Sequence, residues 1–370
     1  MKIAFDAKKL VRNRTGIGNY SRRVVCSLEP FKEISDMDLY APRNGNRQLI
    51  STLPSKTNLI TPPLLMPGIP GFEIWRATCS ASTANSRHID IYHGLSNELP
   101  ADIKRFHGKK VVTIHDLIFL KLPETYSQSM RRILEKKTRF ACEVADKIVT
   151  VSDRTRIDLI ELYGIPSERI EVIYQSIDPI FFRHDDISTD PHSIIHNPYI
   201  LCVGTIEQRK NQNILVEALP QLSPSVHLVI IGKPTAYFEK LQATAARLGV
   251  ESRLHLLTDI PTSDLPAWYR NAAVTCNPSF YEGFGIPVAE SIAQGTPIIA
   301  ATGSCLEEAG GPGGLYVSPD SPEDWAGAID SIMNDKSLRD KLSAEGLIYA
   351  NNFKDSTMGH RLIQLYDSLL

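Results

Sequence analysis

Short runs of β-branched and aliphatic residues alternate along this chain with longer stretches in which apolar positions recur every three to four residues. In the first half the pattern predicts strands at residues 2–6, 90–93, 110–115 and 147–152. In the second half it predicts them at 199–204, 226–232, 253–257, 274–278, 297–301 and 314–317. Runs such as Val111-Val112-Thr113-Ile114 and Leu228-Val229-Ile230-Ile231 are apolar almost throughout, as strands of a parallel sheet are when helices cover both faces. A helix is predicted after Gly18, where Tyr20, Val24, Val25 and Leu28 follow a 3.6-residue period. Similar stretches follow Asn211, Thr235, Pro287, Pro322 and Ser337. Strand–helix alternation in both halves predicts an α/β protein of two doubly wound, Rossmann-like domains. Residues 183–198 (RHDDISTDPHSIIHNP) are polar, carry prolines and lack a period, so they read as the linker, with Asp185 and Asp186 solvated. The expected domains are 1–185 and 198–355, with the ligand site in the cleft between them.

Composition narrows the function. With 370 residues, 42% of them hydrophobic, the chain can bury a large core without staples. A formal net charge of −2 gives no basic field, so nucleic acid is not an expected partner. The six cysteines form no C-x-x-C pair and read as free thiols of a reducing compartment. Met1-Lys2-Ile3-Ala4-Phe5-Asp6 reads as a strand and not as a signal peptide, and no apolar run approaches a membrane span. A cytoplasmic location is therefore expected. Arg131, Arg132, Lys136, Lys137 and Arg139 share one predicted helix with Ile133, Leu134 and Phe140; that face is either solvated or in peripheral contact with an anionic membrane.

Candidate chemistry concentrates at Tyr281-Glu282-Gly283-Phe284-Gly285-Ile286-Pro287-Val288-Ala289-Glu290. Pro287 suits the first position of a helix, Gly295 its close, and Val288, Ala289, Ile292 and Ala293 its buried face. Glu282 and Glu290 then flank a glycine loop and a helix start. Carboxylates accept from hydroxyls and amides donate to oxyanions, which suits a polyhydroxylated ligand bearing phosphate. The same residues also fit a solvated loop with a dipole-favouring Glu, or a glycosidase pair.

This run resembles the E-x7-E motif of the family-4 retaining glycosyltransferases, continuing through Ala293-Gln294-Gly295-Thr296-Pro297. The resemblance implies the GT-B fold, with a last helix at 356–370 crossing back to the N-terminal domain through Leu362, Leu365, Tyr366 and Leu369. It implies a hexosyltransferase that moves sugar from a nucleoside diphosphate donor to a glycan or lipid-linked glycan in polysaccharide biosynthesis. GDP-mannose is the leading donor, UDP-sugars follow, and no cofactor or metal is implied. Glu282 would lie at the donor sugar, Glu290 at the ribose, and the backbone of Gly283, Phe284, Gly285 and Ile286 at sugar and phosphates. Arg209 and Lys210, in Gly204-Thr205-Ile206-Glu207-Gln208-Arg209-Lys210, would neutralise the diphosphate; by themselves they also read as a solvated basic turn. Thr205 stands where many members carry Arg. Gly16 and Gly18 would face the donor diphosphate, or simply form a tight turn. His115 would touch the reacting sugar, although a lone His is often structural. Asp116, His93, Asn97 and Ser152 would bind the acceptor or frame the cleft. Tyr174-Gln175-Ser176-Ile177-Asp178 departs from the family's Pro-Asn-Gly pattern. A GT-B epimerase and a non-catalytic nucleotide-sugar-binding subunit are the rival functions.

Overall fold

A computed structural model describes residues 1–43, 45–63, 71–184 and 190–370. Two compact units emerge: Met1–Ser176 with Asp355–Leu370, and Ile177–Lys354. Residues Ile177–Lys354 thus begin ahead of the polar stretch where the sequence places the boundary. The reason is packing: Phe181 is fully buried against the Tyr269 ring, and Gln294 Nε2 donates to Phe181 O at 2.6 Å and Arg183 O at 3.2 Å. Asp185 and Asp186 lie outside the described residues.

The first unit contains seven strands among the described residues: β1 (Lys2–Asp6), β2 (Asp36–Tyr40), β3 (Thr57–Ile60), β4 (Ile91–Gly94), β5 (Lys109–Ile114), β6 (Lys147–Thr150) and β7 (Ile170–Val172). They pair in parallel in the order β3-β2-β1-β4-β5-β6-β7. Helices α1 (Lys8–Arg12) and α2 (Gly16–Leu28) follow β1. The second unit holds β8 (Tyr199–Val203), β9 (His227–Ile231), β10 (Leu254–Leu257), β11 (Val274–Asn277), β12 (Ile298–Ala301) and β13 (Gly314–Val317), parallel in the order β10-β9-β8-β11-β12-β13. Central strands such as β1, β8 and β12 are buried along nearly their whole length, which their apolar composition requires.

Strands β2, β3 and β7 escape the hydrophobic pattern. Strand β2 alternates Asp with apolar residues, and buried Asp38 is matched by Arg87 and by Asn58 Nδ2 at 3.1 Å. Strands β3 and β7 lie at sheet edges and are largely half-buried or exposed.

The C-terminal helix, Asp355–Asp367, belongs to the first unit and packs on α2. Arg23 Nη1 pairs with Asp355 Oδ2 at 3.0 Å. Gly359 sits so close to α2 that a Cβ would lie 2.5 Å from Ser27 O. Leu362 and Tyr366 are fully buried, and the Tyr366 hydroxyl bonds His93 Nδ1 at 2.7 Å; Leu369 falls past the helix end. None of the helices among the described residues is long and apolar enough to cross a membrane.

Replacing Tyr366 by Phe strands a buried ring nitrogen of His93. The expected cost is about 1–3 kcal/mol of stability, read as a lower urea midpoint with unchanged slope.

Candidate active site

In each unit the chain starts at an inner strand, winds outward, then returns to that strand's other side. The order β9-β8-β11 makes the gap between β8 and β11 the switch point of the second sheet. Loops leaving the carboxyl ends of those two strands diverge there and leave a crevice for ligand. The loop after β8 carries Thr205, Glu207, Arg209 and Lys210; the loop after β11 carries Glu282 and the glycines. A backbone bond from Phe280 N to Arg209 O, 3.0 Å, ties the loops together. Asn211 ends the single helical turn Gln208–Lys210 in the left-handed region (φ 54°), and its Nδ2 donates to Pro319 O at 2.8 Å.

Three charges meet at this junction. Lys210 Nζ pairs with Glu282 Oε1, and Arg209 Nη1 with Glu282 Oε2 at 3.0 Å. Arg209 also donates to Tyr281 O at 2.7 Å and to Glu207 Oε1 at 2.6 Å. Burial pushes the Glu282 carboxyl up, but Lys210 and Arg209 together outweigh it and bring its pKa to about 2. Glu282 is therefore ionised at any working pH. Cys305 Sγ, fully buried, donates to Glu282 O at 3.1 Å and fixes the backbone beneath it.

Helix Ile286–Ala293 begins one residue earlier than the proline rule predicts, with Pro287 second. Gly285 precedes it at φ 102°, and a Cβ there would lie 2.7 Å from Leu306 Cδ2, so only glycine fits. Val288, Ala289, Ile292 and Ala293 are buried as expected, and Gly295 follows at φ 75°. Phe284 is buried against the Phe353 ring, so its side chain is core and only its backbone is available to ligand.

Glu290 meets the opposite environment. No cation pairs with it among the described contacts; its Oε2 accepts from the Tyr269 hydroxyl at 2.8 Å. Burial raises its pKa to about 8, against the lowering by Tyr269 and with a further push from Asp178. Tyr269 stands 21 residues upstream on another helix, so no local spacing in the sequence reveals this pairing.

Thr205 is exposed, and its carbonyl accepts from Gln212 Nε2 at 2.8 Å. Gly16, Gly18, His93, Asn97, His115, Asp116 and Ser152 belong to the first unit. His115 is nearly buried, edge-on to Tyr20, and burial lowers its pKa to about 4. Its Nε2 lies 2.9 Å from Leu95 O. A carbonyl only accepts, so Nε2 carries the proton and Nδ1 is left as an acceptor. Asn97 bridges the loops after β4 and β5, accepting from His115 N at 2.8 Å and donating to Asp116 O at 3.3 Å. Asp116 Oδ1 accepts from Ile118 N at 3.1 Å. Two of the expected acceptor-binding side chains are buried. His93 is 0% exposed, with its nitrogens on Tyr366 and on Thr113 Oγ1 (2.9 Å), and Ser152 is a buried cap bonded to Thr155 N at 3.2 Å. Both side chains are taken up by contacts within the first unit.

Comparison with known proteins agrees with this architecture. An Anabaena protein, HepE, solved in complex with UDP-glucose, superposes with a TM-score of 0.76 at 19% identity over the full length of both chains. Two parallel doubly wound sheets with a returning C-terminal helix make this a GT-B fold. Residues 189–347 match the family model for glycosyl transferases group 1, and residues 35–181 that for Glycosyltransferase Family 4. The chain belongs to the group 1 glycosyl transferases. An O-antigen chain mannosyltransferase B of Escherichia coli is 27% identical over 100% of both chains. An O-antigen chain mannosyltransferase of Salmonella typhimurium is 29% identical over 60% of each.

The raised pKa of Glu290 carries a pH signature. A carboxyl whose folded pKa exceeds its unfolded value contributes stability that is fully present below the unfolded value, about 4.5, and lost as pH rises towards about 8. Glu290→Gln keeps the neutral geometry and removes this loss. Its melting temperature should therefore gain on the wild type between pH 5 and pH 9; a difference independent of pH would contradict the assignment.

Proposed function

We propose that this glycosyltransferase moves a hexosyl group, with retention, from a nucleoside diphosphate sugar to a hydroxyl of a glycan or lipid-linked glycan during polysaccharide biosynthesis. The observation that carries the proposal is the ionised Glu282 held between Lys210 and Arg209 at the second sheet's switch point. Mannose, from GDP-mannose, is the leading sugar, supported by the name of the full-length relative; UDP-sugars stand second.

In this reading the diphosphate leaves from C1 while the acceptor oxygen bonds to the same face of C1. The acceptor proton passes to the departing phosphate oxygen, which balances the charge. Lys210 and Arg209 stabilise the negative charge building on the diphosphate, so no resident metal or cofactor enters the scheme. Glu282, too acidic to shuttle a proton at neutral pH, orients the sugar hydroxyls as an acceptor. Glu290, shaped by Tyr269, takes the ribose hydroxyls. The backbone of Gly283, Gly285 and Ile286 lies beside sugar and phosphates. His115 Nδ1 accepts from a sugar hydroxyl, and Asp116 and Asn97 shape the acceptor end.

Transfer assayed with GDP-mannose and UDP-sugars should be fastest with GDP-mannose, give an anomer of unchanged configuration, and survive chelation. Glu282→Ala and Arg209→Ala should each lower kcat by about 100-fold. Unchanged turnover in both variants would refute the roles. Interconversion of the donor without transfer would identify an epimerase, and binding without either reaction a non-catalytic subunit.

We also propose a cytoplasmic protein in peripheral contact with an anionic membrane. Helix Gln128–Val144 exposes Met130 (49%) and Ile133 (52%) between Arg132, Lys136 and Lys137. Sedimentation with anionic vesicles should fall several-fold in a Met130→Ser, Ile133→Ser, Arg132→Glu variant and at high salt. Equal sedimentation of variant and wild type would exclude this face.

A further inference from the structure

Strand β5 outlasts its neighbour. Strand β4 ends at Gly94, which pairs with Val112, so the last residues of β5 and His115 beyond them have no further β4 partner. The chain after β4 instead curls back over its own end. Gly94 permits this, since a Cβ there would lie 2.3 Å from Glu98 O.

Asn97 takes up the vacant place beside Ile114. Its N donates to Thr113 O at 3.0 Å, and its Oδ1 accepts from His115 N at 2.8 Å. These are the two bonds, one on either side of Ile114, that a residue of a parallel strand makes. Asn97 makes the second with its side-chain carbonyl, because its backbone turns away in the left-handed region (φ 61°). Asparagine tolerates that region where most residues do not. Its Nδ2 donates to Asp116 O at 3.3 Å, a third bond that reaches past the strand end. The set needs an acceptor and a donor on one short side chain. Aspartate lacks the donor, and glutamine is a methylene too long.

The other flank of His115 is closed too. Thr155 Oγ1, in the first turn of helix Asp153–Tyr163, donates to His115 O at 3.2 Å. Ser152 Oγ donates to Thr155 Oγ1 at 3.0 Å and sets the direction of that hydroxyl. Leu95 O takes the Nε2 proton at 2.9 Å. Tyr20 stands edge-on to the imidazole, with ring centroids 4.6 Å apart, and its hydroxyl is tied to Thr113 Oγ1 at 3.0 Å. Backbone N, backbone O, Nε2 and ring are thus held by residues of three segments. Nδ1 alone has no partner among the described residues. A histidine with only a structural role has both nitrogens satisfied, as His93 does through Tyr366 and Thr113. His115 is confined so that it offers one atom, in one tautomer and one direction.

We propose that Asn97 is a positioning residue for sugar transfer, resting on the contact proposed between His115 Nδ1 and a sugar hydroxyl. Through His115 N and Asp116 O it fixes the corner at the end of β5. Ser152 and Thr155 hold the same corner from the β6 side. The Asn97 amide is spent on backbone groups, so it acts through His115 and not on substrate.

The test compares Asn97→Gly and Asn97→Asp with the wild type. Glycine keeps the left-handed backbone and removes only the side chain. Aspartate keeps the acceptor for His115 N and loses the donor to Asp116 O. Nitrogen NMR of histidine-labelled protein reads the His115 ring, whose signals are assigned by their absence in His115→Gln. Turnover is read as release of nucleoside diphosphate from GDP-mannose or UDP-glucose. The wild type should show a single Nε2–H tautomer that titrates at about 4. Asn97→Gly should show mixed tautomers and titrate nearer the ordinary 6.5. Its kcat should fall about tenfold with donor KM changed less than about twofold. Asn97→Asp should fall between the two on both readouts, and it carries the comparison should the glycine variant not fold. A ring unchanged in tautomer and titration overturns the proposal, and a fall in kcat alongside it would place Asn97 on the substrate itself. A displaced ring with unchanged kcat and KM overturns it from the other direction, since Asn97 would hold His115 but the sugar contact given to His115 would be wrong.

Discussion

The ion cluster of Glu282 with Lys210 and Arg209 is the interaction around which the second sheet's switch point is organised. Taking three charges largely out of water costs several kcal/mol per ion, and mutual attraction offsets that only when geometry is good and remaining hydrogen bonds are made. Those conditions are met by the sheet and not by the loops alone. The winding that places β8 beside β11 delivers a basic loop and an acidic loop to one crevice. The Phe280–Arg209 backbone bond, the Tyr281 carbonyl on Arg209 and the Cys305 thiol on Glu282 then hold each partner in place. A cluster like this contributes little to net stability compared with a well-packed apolar substitute. Its presence makes sense as a preorganised electrostatic site, with cations already gathered and a carboxylate already ionised.

The two carboxylates of one motif illustrate how environment divides labour between identical groups. Glu282 and Glu290 are the same residue type, both largely removed from solvent, yet their pKa values are driven to about 2 and about 8. Two neighbouring cations account for the first; burial, which the Tyr269 hydroxyl only partly offsets, accounts for the second. A pair split this far resembles an acid and a base, but Glu282 is too acidic to act as a proton donor near neutrality. An ionised carboxylate suits hydroxyl donors, whereas Glu290 has a charge state that a hydroxyl donor brought beside it would shift.

The second unit was the more legible half of the sequence. Its inner strands lie within short apolar runs, because a parallel strand covered on both faces must be apolar, and the half-buried edge strands β10 and β13 keep enough of that pattern to be read. In the first unit β1, β4, β5 and β6 are equally plain, while β2 hides behind Asp36 and Asp38. Its polarity is satisfied by Arg87, 49 residues away, a match that local periodicity cannot register. The motif at 281–290 pointed to the loop in which Glu282 meets its cations. It could not tell that Arg209 divides itself among Tyr281, Glu207 and Glu282, or that Tyr269 reaches Glu290. His93 shows a related limit: the end of a strand is a good position for a functional residue, but the sequence does not reveal that the C-terminal helix delivers Tyr366 onto it. Long-range partners, supplied only by the fold, account for each of these differences.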